Sequence, residues 1–509
     1  MKPRFAARRN QNFQRLDLQT PLFFGKQMPP MNRFFTLFLL SATLTARAAL
    51  PQPDLIARIH FAGGDAVAAD RNYSAFTNEF SSAEALALRR QVADRLAPWL
   101  AGWLQANAGA GAGAENLRPL FDDLQSAEWF FEARTSAGKP SGYLAIKLSP
   151  ARLQLWKTNL KSLPFGIADS RGWLFFSFGD TVAKLNDLRP PVPIKAWLEC
   201  DVNWTELAHW YPRVRTFDLP ETLFDVTAGD GQIRIFGKFY FPQNITARLD
   251  PWKLPVSDMH EPLTSFTAVR GFAPWLAGQA WARPWQLSPP VNQLFVWSLN
   301  GTPFQTFAAA PVNDPVSALH QLYQNLQPVL SSENSRGRFT SQLNLKQAND
   351  RVTVSGTPII KPEIKAETTR DGNFLIAGAF PNPPGGKPLP AALLQALALP
   401  NLVYYHWELV APRLPALQEY SALAQLITKQ RQLNGNSVAA KWMKKSGSLP
   451  GYTATEIIQS APDQMTFVRS APAGLTAFEF FALAIWLEAP DFPHCNLERS
   501  PAAGSQNSR

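Results

Sequence analysis

Residues 222–241 have the sequence TLFDVTAGDGQIRIFGKFYF, and this stretch decides the fold class. Two runs with strand-like alternation, Thr222–Ala228 and Gln232–Phe241, flank the turn sequence Gly229-Asp230-Gly231. Glycine and aspartate adopt the left-handed backbone that tight hairpin turns require. The stretch therefore predicts an antiparallel β-hairpin.

The same chemistry recurs along the chain. Segments 128–134 and 142–149 are predicted strands joined through the turn sequence TSAGKPS, and Asp371-Gly372 turns segment 364–369 back into segment 373–380. Residue pairs typical of helix starts precede the predicted helices: Ser81 with Glu84, Ser149 with Pro150, Asn203 with Glu206, Asp314 with Pro315, and Thr476 with Glu479. Hairpins rather than helical crossovers join most strands. We therefore predict an α+β fold of mainly antiparallel sheets with helices on one face.

The order helix, strand, helix, strand, helix, hairpin occurs twice, around IKAWLECDV (194–202) and LVYYHWELV (402–410). Prolines at 242, 251, 255 and 262 separate the two occurrences. We predict one α+β domain over 49–242, a proline-rich linker over 243–262, a second α+β domain over 263–495 and a disordered tail over 496–509. A duplication and a chance ordering both explain the repetition, since α+β chains offer few orderings.

Residues 31–48, MNRFFTLFLLSATLTARA, have the pattern of a secretory signal peptide. A basic residue precedes a short apolar run, and Ala46 and Ala48 supply small residues at the cleavage site. The run is too short to cross a bilayer, which takes about 20 residues. We predict export to the periplasm or the exterior, a mature chain starting near Ala49, no transmembrane anchor, and a non-native or disordered extension over 1–30.

The net charge of +10 does not indicate a nucleic-acid partner. Eight basic residues and one acidic residue lie within 1–48, so cleavage leaves a net charge of +3. Two cysteines, Cys200 and Cys495, make no disulfide framework in a chain of 509 residues. Cys200 falls on the apolar face of its strand and is predicted to be a buried, inert thiol.

The candidate site residues lie on the two central strands. Alternation places Glu199 and Asp201 on the polar face of one strand, and His406 and Glu408 on the polar face of the other. These four are the candidate catalytic residues, for acid–base chemistry in a groove. Trp197 and Tyr404, on the same polar faces, are candidate binding residues. The favoured interpretation of both faces is instead the solvated side of a one-sided sheet, which has the same pattern.

A second carboxylate group consists of Asp122, Asp123, Glu128 and Glu132. Glycosidase chemistry needs two carboxyl groups on either side of one bond. Asp122 and Asp123 are predicted to lie in a polar turn and Glu128 at a strand start, so a solvated loop explains them better.

The sequence contains fragments of catalytic and metal-binding motifs, but each lacks a required residue, spacing or structural context. The histidines lack metal-site spacing, and Ser136-Ala137-Gly138-Lys139 lies in a predicted hairpin loop. Gly435 to Ala439 does not follow a strand, and Gly385-Gly386-Lys387 lacks the Ser or Thr of a phosphate loop. No metal and no cofactor are predicted.

The export signal, the run NLRPLFDDL (116–124) and the closing segment 476–493 together resemble exported bacterial proteins of unknown function. The resemblance implies no activity. The main hypothesis is a non-enzymatic binding or scaffold protein of the cell envelope with a protein or polysaccharide partner. The alternatives are a carboxylate-based hydrolase of an extracellular polymer and an assembly or chaperone-like protein with an apolar groove.

Overall fold

The computed structural model describes residues 54–493, except 109–112, 162, 164, 211–218, 246, 301–304, 338, 359, 380–385 and 429–432. The predicted signal peptide, the extension before it, Cys495 and the predicted tail lie outside the described residues.

The first half of the chain contains eight strands and six α-helices among its described residues. The strands are β1 Leu55–Phe61, β2 Trp129–Ser136, β3 Lys139–Lys147, β4 Gly166–Ser170, β5 Trp173–Phe178, β6 Leu198–Val202, β7 Glu221–Gly229 and β8 Gln232–Tyr240. The helices are α1 Gly64–Ala69, α2 Ser74–Phe80, α3 Ala83–Ala108, α4 Ala114–Ser126, α5 Pro150–Asn159 and α6 Trp204–Trp210, with a 3-10 segment at Gly179–Asp187.

The second half has ten strands and six α-helices among its described residues. The strands are β9 Leu263–Arg270, β10 Gln293–Leu299, β11 Thr306–Pro311, β12 Asn344–Gln347, β13 Arg351–Ser355, β14 Glu363–Thr369, β15 Gly372–Gly378, β16 Leu402–Glu408, β17 Thr453–Ala461 and β18 Gln464–Ala471. The helices are α7 Ala273–Ala277, α8 Pro315–Ser335, α9 Ala391–Leu397, α10 Val410–Thr428, α11 Val438–Ser446 and α12 Ala477–Glu488, with a 3-10 segment at Ala280–Trp285.

All eighteen strands belong to one antiparallel sheet. Their pairings give the spatial order β4-β5-β3-β2-β1-β6-β7-β8-β18-β17-β16-β9-β10-β11-β15-β14-β13-β12. The predicted α+β class with antiparallel pairing is confirmed. The hairpin predicted from residues 222–241 is β7 and β8, with Asp230 and Gly231 both at positive φ.

The two halves have the same strand order. Starting from β8 the first half continues β7, β6, β1, β2, β3, β5, β4, and starting from β18 the second continues β17, β16, β9, β10, β11, β15, β14. Strands β12 and β13 extend the second half at its outer edge. The order predicted to repeat along the chain is therefore also a repeat of sheet topology. The predicted domain limits stay a prediction.

The strand registers identify equivalent positions in the halves. Strands β6 and β16 each end two residues before the next helix begins, which matches Val202 with Glu408 and Cys200 with His406. The register can be followed from β6 through β7 to β8, and from β16 through β17 to β18. On this basis Gly237 is equivalent to Arg469, and Ile235 is equivalent to Phe467. At the junction Gly237 pairs with Phe467 and Ile235 pairs with Arg469. Replacing each residue by its equivalent in the other half converts one of these pairs into the other. A local twofold axis therefore passes through the pair that lies between them, Phe236 with Val468.

Most helices cover one face of the sheet, which we call the helix face. Its side chains form a row across paired strands: Ile59, Cys200, Phe224, Gly237, Phe467, Ile457 and Tyr404. Helix α6 packs Trp204 and Leu207 against Cys200 and Val202 in the first half, and α10 and α12 pack together over the second.

We call the middle of the opposite side the open face. It carries two rows: Glu132, Arg58, Asp201, Leu223, Lys238 and Thr466, and beside it His60, Glu199, Asp225, Phe236, Val468 and Glu456. Its two ends are covered. Leu185 of the first 3-10 segment packs on Trp173 and Phe175, and α9 packs Leu393 and Leu397 on the second half.

Helix starts follow local chemistry at four of the five predicted positions. Ser149, Asp314 and Thr476 accept hydrogen bonds from first-turn amides, Thr476 within a full capping box, and Asn203 accepts from the amide of Glu206. Helix α3 differs, because Ser82 rather than Ser81 accepts from the amide of Ala85. Within the described ranges, no helix has the length and apolar content needed to cross a membrane.

Candidate functional site

The four candidate catalytic residues lie on opposite faces of the sheet. Glu199 and Asp201 lie on the open face, since they pair with Asp225 and Leu223. His406 and Glu408 lie on the helix face, since they pair with Thr455 and Thr453. The two polar faces therefore do not converge on one concavity.

The predicted solvated face is wrong for β16. Tyr404, His406 and Glu408 are all buried, with Glu408 only 3% exposed. The physical reason is the covering helix layer: Glu408 accepts a hydrogen bond from the Ala477 amide at the start of α12. The alternation of side chains along a strand assigns each residue to one face of the sheet. It does not reveal which of the two faces the helices cover.

Trp197 lies apart from Glu199 and Asp201, contrary to the predicted alternation. Strand β6 begins at Leu198, and Trp197 occupies the bend before it. Its indole donates to Asp70 Oδ2 at 2.8 Å, and its ring stacks on Phe76 with centroids 5.5 Å apart. Trp197 and Tyr404 both belong to the hydrophobic core of the helix face.

A buried polar network surrounds His406. Its Nδ1 lies 2.8 Å from Thr267 Oγ1, and its Nε2 lies 3.6 Å from Glu408 Oε2, beyond hydrogen-bond distance. Burial acts to raise the pKa of Glu408, but His406, Arg413 and the Ala477 amide together hold that pKa below its ordinary value.

The nearby pair Arg469 and Glu479 explains much of this polarity. Arg469 is 1% exposed and donates to both carboxylate oxygens of Glu479, at 2.7 and 2.9 Å. Glu479 also accepts from the Thr476 amide and so completes the capping box of α12. The arrangement anchors the N-terminus of α12 to the sheet, which is a structural role.

The open face carries a different cluster around Arg58, which we call the acidic cluster: Glu132, Asp201 and Glu221 with Arg58 and Arg134. Arg58 Nε donates to Glu132 Oε2 at 2.7 Å, and Arg134 Nε donates to Glu132 Oε1 at 2.8 Å. Burial acts to raise the pKa of Glu132, but the two guanidinium groups outweigh it and hold that pKa below its usual value.

The pKa values of Asp201 and Glu221 are shifted in the opposite direction, above their ordinary values. Burial, reinforced by the charge of Glu132, raises the pKa of Asp201 to about 6 although Arg58 and Arg134 oppose it. Burial and the charge of Asp201 raise the pKa of Glu221 to about 7. The cluster therefore holds one ionised carboxylate beside two carboxyl groups that titrate near neutral pH.

The second predicted carboxylate group is dispersed, and Asp122 and Asp123 lie within α4 rather than in the predicted turn. Asp122 is exposed, whereas Asp123 is buried and accepts from Trp156 Nε1 at 2.6 Å. Glu128 lies between His60 and Lys147, each 3.1 Å away. Of the four, only Glu132 belongs to the acidic cluster.

Sequence reasoning missed Glu221, Arg58 and Arg134. Glu221 directly precedes the hairpin sequence 222–241. It lies four residues before Asp225, so strand alternation places the two carboxylates on the same face, and this pattern could have identified Glu221. No local signal existed for the arginines, because β1 pairs with β6 across most of the first half of the chain.

The described residues contain no group of three His, Cys, Asp or Glu side chains placed to hold a metal ion. Cys200 is buried as predicted, and burial raises the pKa of its thiol. A thiol with a raised pKa stays protonated and unreactive.

A cavity of about 410 Å³ lies at the start of α8, away from the acidic cluster. Amide side chains in its lining serve the backbone: Gln293 accepts from the Lys253 amide, Asn292 donates to the Arg248 carbonyl, and Gln321 accepts from the Ser288 amide. These bonds give the lining a structural role.

Comparison with family models finds no match to this chain, and comparison with curated proteins and with solved structures finds none either. The predicted resemblance to exported bacterial proteins stays a prediction.

Proposed function

We propose that this protein is a binding protein of the cell envelope that holds an extended polymer against the open face. The observation that carries the proposal is the unequal covering of the sheet. On β18, Phe467 and Arg469 are buried beneath the helix layer, while Val468 between them is 37% exposed. Within the described part of the chain, helical segments pack at the two ends of the open face, and its middle keeps partly exposed apolar and charged side chains, a combination typical of an interaction surface.

The size and chemistry of the open face fit a polymer. Nine strands, from β3 to β16, span roughly 38 Å at the usual strand spacing. Partly exposed aromatic side chains are distributed over this width: Tyr143, Phe236, Tyr240 and Trp407. Charged groups lie between them, and this mixture of flat apolar rings and charges supports binding of a polysaccharide or an extended peptide.

Export is part of the proposal, because an envelope polymer is met only outside the cytoplasm. The support is the signal-peptide pattern of residues 31–48. The exported product should begin at or within a few residues of Ala49. N-terminal sequencing that finds Met1 or Met31 on the exported product would contradict this.

The binding test compares two aromatic-to-alanine variants of the mature protein. Phe236→Ala removes a partly exposed ring at the twofold axis, and we expect about tenfold weaker co-sedimentation with purified cell-wall sacculi or extracted surface polysaccharide. Trp103→Ala on α3 removes a ring that is 50% exposed on the helix layer, and binding should stay unchanged. Equal binding by Phe236→Ala and the native protein would refute the open face as the binding surface.

A carboxylate-based hydrolase is the second candidate, because the pKa values of the acidic cluster are split. Asp201 or Glu221 would supply the general acid, and ionised Glu132 the base or nucleophile. Release of reducing ends from a bound polysaccharide, abolished by Glu132→Gln with binding intact, would favour this candidate over simple binding. The chaperone-like alternative has less support, since polar Lys238 and Thr466 interrupt the apolar side chains of the open face.

A further inference from the structure

We propose that Asp201 and Glu221 form a binding site for an alkylammonium group of the ligand on the open face. The inference rests on the proposed function and adds the chemical class of the ligand. It follows from the geometry of an acidic pair that forms no ion pair with any described residue.

Asp201 and Glu221 are neighbours on one face of paired strands. Asp201 pairs with Leu223 across β6 and β7, and Glu221 lies two residues from Leu223 on the same side of β7. Asp201 is 9% exposed, and its Oδ1 atom is buried with no hydrogen-bond partner among the described residues. A buried carboxylate oxygen without a partner is costly, and a ligand donor would remove that cost.

Two described arginines near the pair form ion pairs with other carboxylates. Arg58 pairs in register with Asp201, but its Nε donates to Glu132. Arg134 donates to Glu132 and, at 2.9 Å, to Asp54. Lys238 lies across from Leu223 on the same face, and within the described part of the chain it forms no ion pair with either acid. The arginines therefore form ion pairs with Glu132 and Asp54, and among the described residues neither Asp201 nor Glu221 forms an ion pair, although the charges of Arg58 and Arg134 still act on Asp201.

The chemistry of the pair suits an ammonium group better than a metal ion. Divalent cations such as calcium take six to eight oxygen ligands, and this part of the chain has no group of three suitable side chains. An ammonium group has three N–H donors, enough for both carboxylates, and its alkyl chain can lie on a neighbouring aromatic ring. Tyr240 pairs with Glu221 across β7 and β8 and provides such a ring.

The test titrates the full mature protein at pH 7.5 with 1,5-diaminopentane, Nα-acetyl-lysine amide and polylysine, using calorimetry. The neutral probe is 1-pentanol. We expect amine binding that pentanol does not reproduce, and a loss of about ten- to hundredfold in affinity in both Asp201→Asn and Glu221→Gln. Tighter binding of the free diamine would indicate a small polyamine, and tighter binding of the lysine probes would indicate a lysine-bearing chain; both support the site.

Glu456→Gln is the matched control. Glu456 is another half-buried acid of the open face, and burial alone raises its pKa, but it lies on β17, away from the pair. Amine affinity should be unchanged in this variant, and circular dichroism should show native folding in all three.

Three outcomes would overturn the inference: no amine binds, Asp201→Asn binds as the native protein does, or pentanol competes equally. If amines fail while Phe236→Ala still loses polymer binding, the proposed function stands and the ammonium site is wrong.

Discussion

At several equivalent positions, the first half has a small or apolar residue and the second half has a polar or charged one. Cys200, Val202 and Gly237 in the first half correspond to His406, Glu408 and Arg469 in the second. The first half demonstrates that small and apolar residues suffice at these positions. The polar set of the second half instead serves the anchoring of α12, through the bonds from Ala477 to Glu408 and from Arg469 to Glu479. Breaking such a buried pair costs about 3–5 kcal/mol.

The acidic pair on the open face makes stability depend on pH. The pKa values of Asp201 and Glu221, about 6 and about 7, exceed those of the unfolded chain, about 4. The folded state therefore binds protons more tightly, and the stabilisation is fully present below pH 4 and lost as the pH rises through 6 to 7. Asp201→Asn removes the ionisation, so we expect about 1–2 kcal/mol more stability than native at pH 8 and no gain at pH 4.

Urea unfolding at both pH values measures this difference. Glu199→Gln on the same strand is the control, since Glu199 is exposed and should change stability by no more than about 0.5 kcal/mol. A destabilised Asp201→Asn protein at pH 8 would mean that the carboxylate is compensated in the folded state.

At the scale of elements, single polar side chains hold helices in place. Asp123 on α4 accepts from Trp156 Nε1 and from Arg152 Nη2, at 2.6 and 2.8 Å, and so joins α4 to α5. Its chain neighbour Asp122 faces solvent and, among the described residues, forms an ion pair with Arg118. Adjacent aspartates of one helix thus have unequal roles because only one faces another helix.

We expect Asp123→Ala to lower the free energy of unfolding by about 1–3 kcal/mol, because the Trp156 and Arg152 donors lose their partner. Asp122→Ala, with a carboxylate that is 56% exposed, should cost no more than about 0.5 kcal/mol. Thermal and urea unfolding of the two variants provide the comparison. Equal effects of both substitutions would show that Asp123 does not join the helices.

At the scale of the whole molecule, β8 and β18 make one sheet of two topological repeats. Their pairing runs without interruption from Gln464 with Tyr240 to Ala471 with Ile233. The twofold axis in this pairing brings Phe236 and Val468 together on the open face. The proposed binding surface therefore depends on both halves.

We expect the amides of β8 and β18 to exchange with solvent at one common free energy of opening, near that of global unfolding, because each strand is paired on both sides. Amides of the edge strand β12 should exchange much faster. Hydrogen exchange followed by mass spectrometry separates these classes. Two distinct protection levels for β8 and β18 would instead mean that the halves open as independent domains, as the predicted domain limits imply.

The sequence by itself determined the local features of this protein. The hairpin at 229–231 and the caps at Ser149, Asp314 and Thr476 follow from residues within a few positions of each other, whose backbone preferences act without tertiary contacts. Only the tertiary structure decided which sheet face the helices cover, and therefore that Glu408 is buried and Asp201 faces outward. It also decided that Arg58 lies between Glu132 and Asp201, because strands from distant parts of the chain pair there and no local pattern specifies their register.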